Sequence, residues 1–273
     1  MLFQNLFVIL HSMTIDEKIA VYDEMRKRYQ DEIQERMSEE QYREYGEILF
    51  SAHSCAIEGN SFTVDDTRTL KELGLGMVPS GRKLFECLEM ADHFKAFEYV
   101  FNSLQHPLNE ELLKETNRLV NQNTLNYKAP DAVPGEYTTE DMVAGDTVFG
   151  NQERLIAQVP HLLESTEKAL QVNAHPMIVA ARFHGYFEYL HPFRDGNGRT
   201  GRLISNYILL RKGHPLLVIY KEERNKYIAA LRQIRTEGTD EHLTHFFLDC
   251  AISHMREAMN QKRHNSRLMS FLF

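Results

Sequence analysis

Twelve consecutive residues concentrate groups that can do chemistry: His191-Pro192-Phe193-Arg194-Asp195-Gly196-Asn197-Gly198-Arg199-Thr200-Gly201-Arg202. An imidazole can take a proton from a hydroxyl near neutral pH. Gly196 and Gly198 open backbone conformations closed to other residues. Successive N–H groups that end at a helix N-terminus form a cradle for phosphate. The arginines add charge and bidentate hydrogen bonding to phosphate oxygens. Together these groups imply a nucleotide phosphate held beside a histidine.

The elements around this run must place it. PMIVAARFHGYFEYL reads as a helix before it, and Pro192 disfavours helical geometry at His191, so the imidazole belongs at a helix end. LISNYILLRKG reads as a helix after it, with Leu203, Ile204, Tyr207 and Ile208 on one face and Gly213 as C-cap. The spacing elsewhere is also helical. Thr14-Ile15-Asp16-Glu17 is a capping box opening a helix to about Met37, and Ser38 opens the next, which stops at Glu58-Gly59-Asn60. Further helices are expected from Thr63 to about Leu73, over RKLFECLEMADHFKAFEYVFNSL, and after an Asn109 cap. The rest are expected at Gln152–Leu170, Glu222–Thr236 and Glu241–Asn260. The stretch Lys128 to Asn151 breaks the pattern. Residues 134–139, then Val143, Thr147, Val148 and Phe149, suggest a hairpin turning near Ala144-Gly145-Asp146. The fold class expected is all-α, a helical domain with one β-hairpin and an N-terminal helical extension.

Composition narrows the function classes. With 42% hydrophobic and 26% charged residues among 273, the chain reads as an ordinary globular protein. A net charge of -8 argues against broad nucleic-acid binding, which needs a basic face. Cys55, Cys87 and Cys250 lack metal or disulfide spacing and read as reduced thiols. The opening MLFQNLFVILHS is apolar, lacks signal-peptide features and is too short to span a bilayer. It reads as an upstream-start extension or a docking segment. The expected location is cytoplasmic, with no membrane partner.

The twelve-residue run matches in full the pattern His-x-Phe-x-(Asp/Glu)-Gly-Asn-Gly-Arg-x-x-Arg, so the chain resembles the Fic (filamentation-induced-by-cAMP) family over about residues 105–250. Most such proteins are adenylyltransferases that move AMP from ATP to a protein hydroxyl. The resemblance implies that His191 is the base acting on a Tyr, Ser or Thr of a target protein. It implies phosphate binding by Gly196, Asn197 and Gly198, stabilisation of the pyrophosphate by Arg199, and a γ-phosphate contact from Arg202. Asp195 fits Mg²⁺, which binds through one or two carboxylates and substrate phosphates; its plain reading is an Arg–Asp ion pair. Phe193 is expected to anchor the loop, and Arg194 has no expected role. The hairpin, at about 134–150, corresponds to the flap that clamps the target by strand pairing.

Ser54-Cys55-Ala56-Ile57-Glu58-Gly59-Asn60 resembles the family's inhibitory motif (Ser/Thr)-x-x-x-Glu-(Gly/Asn). A Glu58 carboxylate on Arg202 would occupy the group meant for the γ-phosphate. The plain alternative is a solvated Glu58 with Gly59 as cap. The implied organisation is an N-terminal helical region at 1–104 carrying residues 54–60, a core at 105–250, and a C-terminal helix and tail at 251–273. Tyr227 and Asn206 are candidates for the adenine pocket, against plain readings as core tyrosine and exposed helix amide. His184, Glu188 and His191 could share a helix face as a zinc site, although the order is not HExxH. A homo-oligomer is compatible with the apolar ends at 1–10 and 268–273. Other readings stay open: removal of AMP, phosphocholine transfer, or a nucleotide-binding regulatory or toxin-like module without turnover.

Overall fold

The computed structural model describes residues 12–76, 78–140, 143–144, 147–148 and 152–264. The apolar ends named above, 1–10 and 268–273, lie outside the described residues, as do Gly145, Asp146 and Phe149. Helix starts follow the capping chemistry. Thr14 and Glu17 form a reciprocal capping box at the head of α1 (Ile15–Glu32), and Ser38 with Gln41 does the same for α2 (Glu39–Ile57). Thr63 with Asp66 opens α3 (Val64–Leu73), which Gly74 ends at a φ of 65°. The first helix stops short of the expected Met37, because the chain tightens into a 3₁₀ turn at Gln34–Arg36.

There follow α4 (Leu84–Asn102), α5 (Glu110–Val120) with Asn109 as N-cap, and a short α6 (Leu125–Lys128) that the sequence did not announce. Beyond the hairpin come α7 (Gln152–Gln171), α8 (Pro176–Leu190), α9 (Asn197–Arg211), α10 (Arg224–Glu237) and α11 (Glu241–His264). Helix α9 packs against α8, α5, α4 and α2, while α1 lies along α11. Apolar residues of α1, α2, α4, α5 and α7 to α11 join one core, including Tyr22, Leu113, Phe183, Ile204 and Ile252, and Leu70 of α3 packs in a second, smaller cluster with Phe62, Met90 and Phe94. Among the described residues no helix is long and apolar enough to cross a membrane. All three cysteines are free and buried.

Two expectations need correction. The helix after the motif is not one-faced. Leu203, Ile204, Tyr207 and Ile208 are buried, but so are Arg199, Thr200, Arg202, Ser205 and Asn206, because neighbours surround α9 on all sides. Among the described residues the hairpin is also smaller than expected. β1 (Val143–Ala144) pairs antiparallel with β2 (Thr147–Val148), Val143 facing Val148. Residues 134–139 take no part in that pairing. Instead Tyr137 forms an antiparallel bridge with Phe193, and the Thr138 N–H donates to the Pro192 carbonyl at 2.8 Å. The segment thereby ties the approach to the flap directly to the motif.

Candidate active site

His191 is the C-cap of α8, caught in the left-handed region at φ 49°, ψ 57°. A non-glycine residue rarely sits there, and such strain gathers at functional sites. Its N–H still donates to the Phe187 carbonyl at 2.9 Å, so its backbone is fixed to the helix end. The side chain is 23% exposed, enough to meet a substrate.

The loop from His191 to α9 is closed from within. Asn197 Oδ1 accepts from the Phe193 N–H at 2.9 Å, and Asn197 Nδ2 donates to the Phe193 carbonyl at 2.7 Å. The expected phosphate ligand Asn197 therefore spends its side chain on the loop. Phe193, 1% exposed, is the anchor expected of it. Asn117 and Asn121 on α5 and just beyond it donate to the Asp195 carbonyl at 3.0 and 2.9 Å. Gly196, the N-cap of α9, has φ 77°, and a Cβ there would meet Asn121 Nδ2 at 2.6 Å. Only glycine fits that approach. The first N–H groups of α9 lie beyond it and lack intrahelical acceptors, as at every helix start.

Asp195 Oδ2 lies 2.9 Å from Lys128 Nζ and 3.0 Å from Arg199 Nη2. Burial works against its charge, yet Arg199 and Lys128 hold the carboxyl below the usual range. The plain reading of Asp195, an ion pair with arginine, is thus present in the structure. Among the described residues no cluster of three or more His, Cys, Asp or Glu forms a metal site. Arg199 is 1% exposed and also faces Glu89 of α4 at 2.9 Å. Burial opposes its charge, but Glu89 and Asp195 prevail and raise its pKa.

Arg202 meets the N-terminal region. Its Nε donates to Ser54 Oγ at 3.1 Å, and its Nη2 donates to the Ser54 carbonyl at 2.8 Å and to Glu58 Oε1 at 2.9 Å. Glu58 is the C-cap of α2, whose last carbonyl, Ile57, accepts from Arg224 Nε at 2.7 Å. Its carboxylate lies over the cradle: a Cβ on Gly198 would come within 2.2 Å of Glu58 Oε1. Burial disfavours the Arg202 charge, but Glu58 above all raises its pKa.

The two adenine candidates are both buried. Tyr227, 1% exposed, has His184 stacked on its ring and Phe246 beside it, and its hydroxyl shares a 2.5 Å hydrogen bond with His184 Nε2. Its hydroxyl also accepts from Arg202 Nη1 at 3.4 Å, so it supports the arginine. Asn206 is 2% exposed rather than an open helix amide. It accepts from the Leu217 N–H at 2.7 Å and donates to the Leu217 carbonyl at 3.0 Å, pinning the segment after α9. The His184 ring is tied across to Tyr227 of α10.

Comparison with known proteins now bears on this site. Residues 107–209 match the model of the Fic/DOC family. The chain is 32% identical over 201 residues to "Protein adenylyltransferase Fic" of Drosophila virilis, covering 72% of this chain and 40% of that protein. The namesake from Aedes aegypti is 29% identical over 198 residues, covering 72% and 39%. The chain is a Fic-domain protein. It spans about 40% of the length of the first of these relatives.

Among solved structures, a Fic domain containing signaling protein from Bacteroides thetaiotaomicron shares the fold at a TM-score of 0.73 and 23% identity, with 92% of this chain and 98% of that one covered. A Fic-1 segment from C. elegans matches at a TM-score of 0.71 and 24% identity, with 96% and 75% covered. Motif reading located His191, Asp195 and the arginines but missed Glu89, Lys128, Asn117 and Asn121. These four contact the motif from 67 to 110 positions away in sequence, and no local pattern marks them.

Proposed function

We propose that the chain is a protein adenylyltransferase, moving AMP from ATP to a Tyr, Ser or Thr of a target protein and restrained by its own Glu58. The observation that carries the reading is the placement of His191, at a half-open helix end, one closed loop from the glycine-lined start of α9 and its two buried arginines. The names of the curated relatives support it.

In this reading the N–H groups from Gly196 to Gly198 cradle ATP phosphates, and the flap pairs with the target chain. The target hydroxyl oxygen attacks the α-phosphorus while His191 Nε2 takes its proton. The bond from the α-phosphorus to the bridging oxygen breaks, and pyrophosphate leaves with that electron pair. Arg199 and Arg202 offset the charge that develops there. Arg199 Nε, buried without a hydrogen-bond partner among the described residues, is a donor an anion would satisfy.

Asp195, ionised and 27% exposed, fits Mg²⁺ as a single carboxylate ligand completed by phosphates. When bound, the ion would neutralise phosphate charge. Lys128 and Arg199 would then share the carboxylate with it. Tyr227 and Asn206 stay the candidates for the adenine pocket, each in contact with Arg202, through its guanidinium and its carbonyl respectively.

Restraint follows from competition. While Glu58 holds Arg202 and covers Gly198, a γ-phosphate has neither its cation nor its space. The test incubates the protein, Glu58→Gly and Glu58→Gly/His191→Ala with Mg²⁺ and ATP labelled at the α-phosphate. Label is expected on protein with Glu58→Gly, weakly with the parent and not with the double variant. ATP binding without label in any of them would replace transfer with a binding module.

A further inference from the structure

Helix α8 is apolar over most of its length, yet it buries one carboxylate at Glu188, three residues before the base. The Glu188 side chain is 12% exposed, and its Oε2 lies 3.5 Å from His191 Nδ1. Taking a carboxylate out of water is costly unless a partner offsets the loss. Here burial pushes the Glu188 carboxyl up, but the facing His191 ring, with His184 and Arg202 nearby, brings it below the ordinary range. Arg235 of α10 donates to the Glu188 carbonyl at 3.0 Å, which fixes the last turn of α8. Tyr227 completes the charged and titratable groups facing the carboxylate. Its other oxygen, Oε1, is buried without a hydrogen-bond partner among the described residues.

We propose that Glu188 is a positioning residue that holds His191 in the tautomer carrying its proton on Nδ1. A neutral imidazole has one N–H and one lone pair. A carboxylate facing Nδ1 draws the N–H to that side and leaves the lone pair on Nε2, where a target hydroxyl arrives. The same carboxylate then faces the imidazolium formed when Nε2 takes the proton. The left-handed backbone at His191 sets the ring across from Glu188, although both belong to the end of one helix. The assignment rests on the adenylyltransferase reading for its catalytic meaning, but the tautomer is a property of the chain alone.

Two measurements test it. With ¹⁵N-histidine labelling at about pH 8, where a free imidazole is neutral, long-range ¹H–¹⁵N spectra identify the protonated nitrogen, with His191→Ala assigning the resonance. The Nδ1–H form is expected in the parent; the Nε2–H form would overturn the proposal without any variant being needed.

Kinetics in the Glu58→Gly background supply the second arm. Glu188→Gln keeps the volume and removes the charge. Turnover is expected to fall about 10–100-fold, the range for partners that orient metal-bound histidines, while KM for ATP stays within about twofold. Glu188→Asp should recover part of the turnover. A folded Glu188→Gln variant with parental turnover would also overturn the proposal. An Nδ1–H tautomer together with no AMP transfer by Glu58→Gly would defeat the adenylyltransferase reading and leave the Glu188–His191 relationship in place.

Discussion

Glu89 and Arg199 meet at 2.9 Å with side chains 5% and 1% exposed, joining α4 of the N-terminal region to the central helix α9. Asn60 Nδ2 donates to the second Glu89 oxygen at 2.9 Å, so the carboxylate is held from both sides. Removing one partner of a buried pair leaves the other charge without compensation.

Glu89→Gln should therefore destabilise the fold by about 3 kcal/mol, at the low end for such a break because Asp195 still faces Arg199. Urea unfolding, comparing midpoints at unchanged slope, measures it. A midpoint equal to that of the parent would show that Asp195 alone carries the arginine.

Gly198 and Glu58 are coupled sterically. An added methyl at Gly198 would lie 2.2 Å from Glu58 Oε1 and 2.9 Å from Arg202 Nη1. Gly198→Ala is expected to cost about 1–3 kcal/mol, the range of overpacking, and much of that should vanish in the Glu58→Gly background. The double-mutant cycle gives the coupling directly. Additive effects would place the methyl in space that Glu58 does not use.

Stability should rise with pH across the acid range. His184, His214 and His254 are buried, and burial is the main reason their pKa values fall to about 4. Unfolded, each titrates near 6.5. Between these values the unfolded chain binds more protons than the folded one, so acid favours unfolding. Unfolding free energy should then climb with pH between about 4 and about 6.5, by at most roughly 4 kcal/mol per unit for three such groups. Glu47 and Asp92 act the other way, since burial raises their carboxyls and their contribution is lost as pH rises. Chemical denaturation at pH 4.5, 5.5 and 6.5 checks the slope, and a flat profile would place these rings in contact with water.

Much of this molecule is legible in one dimension because its signals are local. Thr14 with Glu17 and Ser38 mark helix starts within four residues, and the motif from His191 to Arg202 is contiguous. The reach of Glu58 to Arg202 was expected only through the resemblance, and the structure supplies the contact. Other features depend on what surrounds a residue. Asn206 and Tyr227 sit where helical spacing puts them, but α9 is enclosed on all sides, so periodicity could not say which neighbour each side chain would meet. The turn and strand formers around Tyr137 suggest a place for it in the hairpin. Its partner is Phe193, a pairing between segments 56 positions apart in sequence. Glu89 and Lys128 look like ordinary helix charges until α9 is laid beside them.

The grip of α2 and its C-cap on Arg202 has two parts with different fates. Ser54 holds the guanidinium through its hydroxyl and its backbone carbonyl, whereas Glu58 holds it through a side chain 36% exposed at the end of α2. An anion arriving at Arg202 has one carboxylate to displace, and the helix can stay docked on Ser54 throughout. Exchange at this point then asks for a rotation of the Glu58 side chain rather than a movement of α2. Access to the cradle would follow the visitor's affinity for Arg202, with the surrounding architecture left standing.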